Sequence, residues 1–269
     1  MSRLFAVPLL FLCMTTSLAA DGTSEEHPLL PLMRLAEKRL RWLDVVQDYT
    51  CTVAKRERID GRLQEAQSML VKLRQAQVRG SQAVAPLSVY LRYLGPSEVE
   101  GREVLYVQGA NQNKMIVRRG GPRFSYVTVS VAPDSPAAFQ DSNHPITEVG
   151  FRSMLLQLLA YGREDLQHGE CEVKYYTNAK INDRSCTVAQ ITHPVRRDYF
   201  QYHVAQIFID DQLQLPVRFV VYDWAEQEGG SSPLIEEYTV LNVKLNAGLT
   251  DYDFDYRNEN YKFSKTFKP

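Results

Sequence analysis

Between Tyr202 and Asp255 the chain follows a pattern that suits a sheet far better than a helix. Two runs, Tyr202–Ile209 and Leu215–Trp224, flank the short turn Asp210-Asp211-Gln212, and Leu234–Leu245 follows an interruption rich in Gly, Ser and Pro. Val, Ile, Phe and Tyr dominate the runs and turn formers bound them, which predicts an antiparallel meander. Side chains alternate across a strand. Leu215, Val217, Phe219 and Val221 therefore share one face of the second run, and Thr239, Leu241, Val243 and Leu245 share one face of the third. Val220, Tyr222 and Trp224 occupy the other face of the second run, so neither side of that strand is polar. Such a sheet must be covered twice or must curl around something.

The same grammar extends upstream. Strand-like runs at Tyr49–Ile59, Met69–Val78, Leu87–Tyr93, Glu103–Gln108, Lys114–Arg118 and Arg123–Val131 are separated by turn formers such as Asp60-Gly61 and Gly120-Gly121-Pro122. Two further runs, Glu172–Asn178 and Cys186–Thr192, lead into the meander. Short spacing without intervening helices means antiparallel pairing. Two stretches have helical periodicity instead. In Leu32–Gln47, the residues Leu32, Leu35, Ala36, Leu40 and Leu43 recur at three and four, after a Pro31 suited to a first turn. In Thr147–Tyr161, Phe151, Met154, Leu155, Leu158 and Leu159 form a stripe that Gly162 is expected to end. The fold class that follows is α+β: a strongly curved antiparallel sheet of about ten or eleven strands, an incomplete barrel, with both helices on its concave side.

The first residues, MSRLFAVPLLFLCMTTSLAADG, combine an early Arg, an apolar stretch from Leu4 to Met14 and small residues at Ser17-Leu18-Ala19. This is the pattern of a secretory signal peptide cleaved after Ala19 or Ala20, with residues 21–269 left as one domain in the periplasm or outside the cell. Leu12 before Cys13 argues against lipidation, and no later segment is apolar enough for a membrane span. With 31 basic and 32 acidic residues, nothing in the charge balance favours nucleic acid. Export permits disulfides, and Cys51, Cys171 and Cys186 allow one bridge and one free thiol. Cys171 and Cys186 are nearest in sequence and are the favoured pair. A tight turn at Asn182-Asp183 would however set Cys186 opposite Ala179, and Cys51 stands as an alternative partner for either.

Particular segments carry a family likeness. Tyr49-x-Cys51, Lys55-Arg56-Glu57, Leu215-Pro216-Val217-Arg218, Glu236-Glu237-Tyr238 and Asn246-x-Gly248-Leu249-Thr250-Asp251 resemble an uncharacterised family of secreted bacterial proteins, known as a domain of unknown function. The order of elements, more distantly, resembles the LolA/LolB superfamily of periplasmic lipoprotein carriers, which implies an incomplete barrel covered by helices. The arginine that holds the lid of those carriers has no match in this chain, so carrier function does not come with the resemblance.

Catalytic patterns do not emerge. Asp251, Asp253 and Asp255 begin like a calcium loop, but Tyr256 stands where Gly is needed and Lys262 where a bidentate Glu is needed. A capped turn is the simpler reading. The five histidines lack metal-ligand spacing, and Ser153 has no nucleophile elbow. Glu236 and Glu237 point to opposite faces of one strand, so they do not act as a pair and are expected to answer Lys55, Arg56 or Arg218 as cross-strand charges. No cofactor or metal is expected. What remains is an apolar excess on a curling sheet, which points to a non-catalytic binder of a lipid-like or acylated ligand. Its expected wall comprises Phe219, Val221, Leu241 and Val243 with Met154, Leu155 and Leu158. The rival readings are a structural or interaction protein of the cell envelope with a filled core and, more weakly, an envelope hydrolase.

Overall fold

The computed structural model describes residues 26–269 except 81 and 228, so the expected signal segment, its cleavage site and Cys13 lie outside the described residues. Helix α1 spans Leu30–Trp42 and α2 spans Phe151–His168. The strands, in chain order, are β1 (Asp48–Ile59), β2 (Arg62–Leu63), β3 (Gln67–Arg74), β4 (Gln77–Arg79), β5 (Gln82–Ala85), β6 (Ser88–Gly95) and β7 (Glu103–Val107). After these come β8 (Met115–Arg118), β9 (Thr128–Val131), β10 (Glu172–Ile181), β11 (Arg184–Thr192), β12 (Val204–Asp210), β13 (Pro216–Tyr222) and β14 (Leu234–Leu245).

One antiparallel path runs β10–β11–β12–β13–β14–β1–β3–β6–β7–β8–β9, with β2 paired to β1 and β4–β5 forming a separate hairpin. The meander from β10 to β14 is thus returned to the start of the sheet through β14 and β1. Strands β9 and β10 are the two free edges, so the sheet curves without closing. They are consecutive in sequence, so the segment between them must cross the sheet from edge to edge, and α2 makes that crossing.

Both faces are covered, as a sheet apolar on both sides requires. On the inner face, Leu32, Met33 and Ala36 of α1 and Phe151, Leu155 and Leu159 of α2 are buried in one cluster with Tyr49, Val71, Leu91, Ala189 and Ile207 from the strands. Gly162 does not end α2, which continues to His168 and is terminated by Gly169 in the left-handed region (φ 65°). A Cβ at Gly162 would lie 3.2 Å from Met33 Sδ, so this glycine lets α1 approach α2 closely. On the outer face, the C-terminal segment folds back. Phe254, Tyr261 and Phe263 bury Tyr90, Leu105 and Ile116 in a second cluster, and Tyr261 stacks on Tyr90 at 3.9 Å. The expected capped turn is present at Asp251–Phe254, held by Thr250 and Asp253. Its three aspartates diverge: Asp251 pairs with Arg74, Asp253 with Lys72 and Asp255 with Arg257.

Two expectations need correction. The face assigned to β14 is interrupted at Asn242 (φ 54°), where Thr50 pairs with Lys244 and Thr52 with Leu241, so Cys51 alone opposes Asn242 and Val243. The bulge reverses the alternation. Val243 and Leu245 join the inner cluster, whereas Leu241, opposite Thr52, lies on the outer side with Thr239. The disulfide is also absent: Cys51, Cys171 and Cys186 are all free. Cys186 pairs with Ala179, while Cys171 precedes Glu172, the partner of Thr192. Some six residues of strand separate the two sites, about 20 Å at roughly 3.3 Å per residue, against the ~7 Å that a bridge spans. Cys51 is no better placed, four strands from β11 and on the inner face, about 19 Å across the ladder.

Alkylation of the denatured, unreduced protein should therefore label Cys51, Cys171 and Cys186 alike, and a mass showing two of them protected would contradict this arrangement. The outer clasp makes a pH-dependent contribution. Burial alone would raise the Asp253 carboxyl, but Lys72 and the Thr250 backbone and hydroxyl hold it below its ordinary value. A lowered native pKa contributes stability above the unfolded value near 3.8 that is lost as pH falls through the native one. Asp253→Asn is expected to cost about 1 kcal/mol at pH 7, with the difference from wild type shrinking as pH falls below 3.8 in denaturant titrations.

Candidate functional site

Two features of the inner face set it apart from an ordinary core. The first lies under α1. A gap of about 10 Å³, bounded by Leu35, Ala36, Leu155, Leu158, Ile207 and Pro216, separates the two helices from β12 and β13. It meets a larger cleft of about 240 Å³, whose lining includes Pro31, Tyr175, Thr187, Asp210, Asp211 and Gln214. Leu32, Leu35, Ile209 and Gln214 border both. The amphipathic spacing of α1 puts its leucines on this side, and the alternation of β12 puts Ile207 and Ile209 there. The two spaces share this border and form a channel beneath the helix, apolar at its inner end, with room for one water, and mixed in polarity at its mouth, with room for several. Its polar rim is well organised. Arg184 and the backbone N–H groups of Gln212 and Leu213 hold Asp210, and the Thr187 hydroxyl donates to Asp211 at 2.9 Å. Across the channel Arg39 donates to Gln214, and the Tyr175 hydroxyl donates at 2.9 Å to the carbonyl of Pro28, just before α1; beyond the far end of the helix, buried Gln75 holds the Leu43 and Val46 carbonyls.

The second feature is a polar cluster on the same face, at the seam of β1 and β14. Lys55 and Glu57 alternate inward on β1, and the register sets them opposite Tyr238 and Glu236. The crossover before α2 adds His144. Glu57 is buried and accepts from Lys55, from the Tyr238 hydroxyl and from the Asn143 N–H at 3.0 Å. His144 Nε2 lies 3.0 Å from Glu236, and Lys55 also donates to the Asp141 carbonyl at 2.8 Å. Burial pushes the Glu57 carboxyl up, but Lys55 and the other donors more than offset it and leave it below the ordinary value. The hydrogen bond that His144 donates to the Glu236 carboxylate raises its imidazole. Sequence reasoning placed Glu236 and Glu237 on opposite faces, and they are: Glu237 pairs outside with Arg218 at 2.7 Å. It did not find His144, which sits in an irregular loop with no periodicity to read.

A third polar group is a strut. His193, Asp165 and Tyr202 are buried together, with His193 Nε2 3.0 Å from Asp165, its Nδ1 2.9 Å from the Tyr202 carbonyl, and the Tyr202 hydroxyl donating to Asp165 at 3.0 Å. It fastens the C-terminal turn of α2 to the sheet. The N-terminal end is fixed as firmly, because the Phe151 N–H donates to the Tyr49 hydroxyl at 3.0 Å and a Cβ at Gly150 (φ 114°) would collide with that oxygen. Helix α2 is therefore pinned at both ends.

The residues expected to line a ligand site fall into three places. Leu155 and Leu158 border the gap under α1. Phe219, Val221, Val243 and Met154 belong to the inner cluster, with Phe219, Val243 and Met154 only partly buried. Leu241 is on the outer side. Leu32, Leu35 and Ile209 carried the same apolar signal in sequence, but nothing there marked the space beside them. Cys51 is an inert thiol, its pKa pushed up to about 12 by burial, and Cys171 is raised to about 11 by burial and by Asp165.

Among known proteins, the family model described as "Protein of unknown function (DUF1571)" matches residues 46–263. A comparison with curated proteins finds no match. In overall form the chain is similar to a DUF1329 family protein from Desulfovibrio piger, at 15% identity and a TM-score of 0.40 over 85% of this chain and 98% of that one. It is also similar to a putative outer membrane lipoprotein-sorting protein domain from Vibrio parahaemolyticus, at 12% identity and 0.38 over 83% and 95%. A LolA superfamily protein from Nitrosomonas europaea is similar at 11% identity and 0.31 over 82% and 97%. These likenesses carry no residue's role across to this chain.

Truncating two rings separates core from wall on the inner face. Phe151→Ala, at a fully buried position, is expected to cost about 3–5 kcal/mol in denaturant unfolding, and Phe219→Ala, at a partly open one, less than half of that. Equal costs would make Phe219 ordinary core.

Proposed function

The chain belongs to the DUF1571 family, and from its own geometry we propose that it is an exported, non-catalytic binder or carrier of a lipid-like or acylated ligand, with residues 21–269 acting as one unit after removal of the signal segment. One observation supports this above the rest: a channel enters beneath α1 and reaches the α1–α2 seam, and one side of it is a helix held to the sheet mainly by apolar contacts. An acyl chain of the ligand lies along Leu32, Leu35 and Ile209. Its inner end displaces α1 and extends towards Leu155, Leu158 and Met154, and then towards Phe219, Val221 and Val243. Apolar area supplies the affinity, at roughly 25 cal/mol per Å² removed from water. The rim of Thr187, Asp211 and Gln214 orients the polar end. Among the described residues no helix is long and apolar enough to cross a membrane.

A second reading, an envelope protein whose inner face is simply core and which acts through a partner, draws on the small size of the inner gap. Displacement of α1 is what separates the two. A fluorescent fatty-acid probe should bind the wild-type protein with blue-shifted, enhanced emission. Leu35→Trp fills the channel without hollowing the core, and is expected to weaken binding by about tenfold or more while leaving the unfolding midpoint near its wild-type value. Absence of any probe binding by the wild type, or undiminished binding by Leu35→Trp, would leave the partner-binding reading in its place.

A further inference from the structure

We propose that Glu57, His144 and Glu236 form a binding site for a zinc-like divalent transition-metal ion, independent of the apolar channel. One ligand atom from each residue lies within 4.8 Å of the other two. The three come from β1, the crossover and β14, so their convergence is tertiary and not an accident of local sequence. Two of the contributing segments, Lys55-Arg56-Glu57 and Glu236-Glu237-Tyr238, are among those on which the family likeness rests.

The donor set suits such an ion. One imidazole nitrogen and two carboxylates are borderline and hard ligands, and zinc takes His nitrogen and carboxylate oxygen at roughly 2.0–2.2 Å. Ligand atoms at those distances stand about 3.3 Å apart around a tetrahedral centre. The present spacing therefore closes by about 1.5 Å at most, within reach of rotations about the Glu side chains. The surroundings supply the outer contacts that metal ligands usually have. Lys55 and Tyr238 fix the Glu57 carboxylate, and Glu148 faces His144 Nδ1 at 3.9 Å, the side away from Glu236.

The rival is a self-sufficient ion-pair cluster. Lys55 already neutralises one carboxylate, and Glu57 already accepts hydrogen bonds from Lys55, Tyr238, the Asn143 N–H and the Ser142 hydroxyl. Glu236 has no such fixed cation. Among the described residues His144 is the one hydrogen-bonded partner of its carboxylate, and a metal ion would take the position between them. Binding then costs rearrangement at Glu57, where the ion competes with Tyr238 and Asn143 for one oxygen. Three protein ligands leave a fourth position for water.

Zinc titration of the chelator-stripped, full mature chain, followed by calorimetry and elemental analysis, tests the site. The expected result is one equivalent bound with a dissociation constant of about 1 µM or lower, weakened tenfold or more by Glu236→Gln and by His144→Gln. A separate thiol–imidazole pair, Cys171 Sγ and His27 Nε2 at 4.0 Å, provides the control. His27→Gln with Cys171→Ser should leave binding unchanged. Cobalt substitution in the wild type gives a readout that does not depend on any variant's folding. Visible absorption without a thiolate charge-transfer band is expected. A thiolate band, no binding at about 100 µM zinc, or full binding by Glu236→Gln would overturn the proposal.

Discussion

The pairing of β14 with β1 holds the rest of the structure in place. Among the described residues it is the only ladder joining the meander β10–β14 to the strands β1–β9, and its partners are nearly two hundred residues apart in sequence. It also decides what faces inward. The bulge at Asn242 resets the alternation partway along, so the same strand offers Val240 and Tyr238 inward on one side of the bulge and Val243 and Leu245 on the other. Without this ladder the sheet would divide into two smaller ones, each with two apolar faces and one helix to cover them.

An open sheet exposes a consequence that a closed barrel avoids. The chain must travel from edge β9 to edge β10 across the concave side, and the crossing is fastened at three points: His144 at the seam, Tyr49 at the start of α2, and the His193–Asp165–Tyr202 strut at its end. By contrast the body of α1 is held mainly by the apolar burial of Leu32, Met33 and Ala36, with polar ties towards its ends from the Tyr175 hydroxyl, Arg39 and Gln75. The channel runs between α1 and the sheet, and α2 borders only its inner end. That difference in fastening, more than the size of the space, is what makes uptake of an apolar chain the preferred reading.

Much of this was legible in the sequence because it is periodic. Alternation located most of the strands, threefold and fourfold spacing located both helices, and Asn182-Asp183 gave the register that sets Cys186 opposite Ala179. What was missed is aperiodic. A bulge at one asparagine moved Leu241 to the outer side. Gly162 looks like a helix stop but is a contact for Met33, a distinction that only the neighbouring helix makes. The disulfide inference followed compartment and cysteine count, and neither says how far apart strands place two thiols. The C-terminal segment gave no sign that Phe254, Tyr261 and Phe263 return to cover Tyr90. His144 entered the polar cluster from a loop whose course depends on contacts remote in sequence.

The central claim is that α1 is a movable cover over an apolar channel, and native-state hydrogen–deuterium exchange with and without a bound fatty-acid probe tests it most directly. Amides of Leu30–Trp42 should exchange well before those of α2 and β1 in the free protein, and slow markedly once the probe is bound, while the outer clasp at Asp251–Phe254 stays unchanged. Exchange of α1 as slow as that of α2, with no response to the probe, would contradict it.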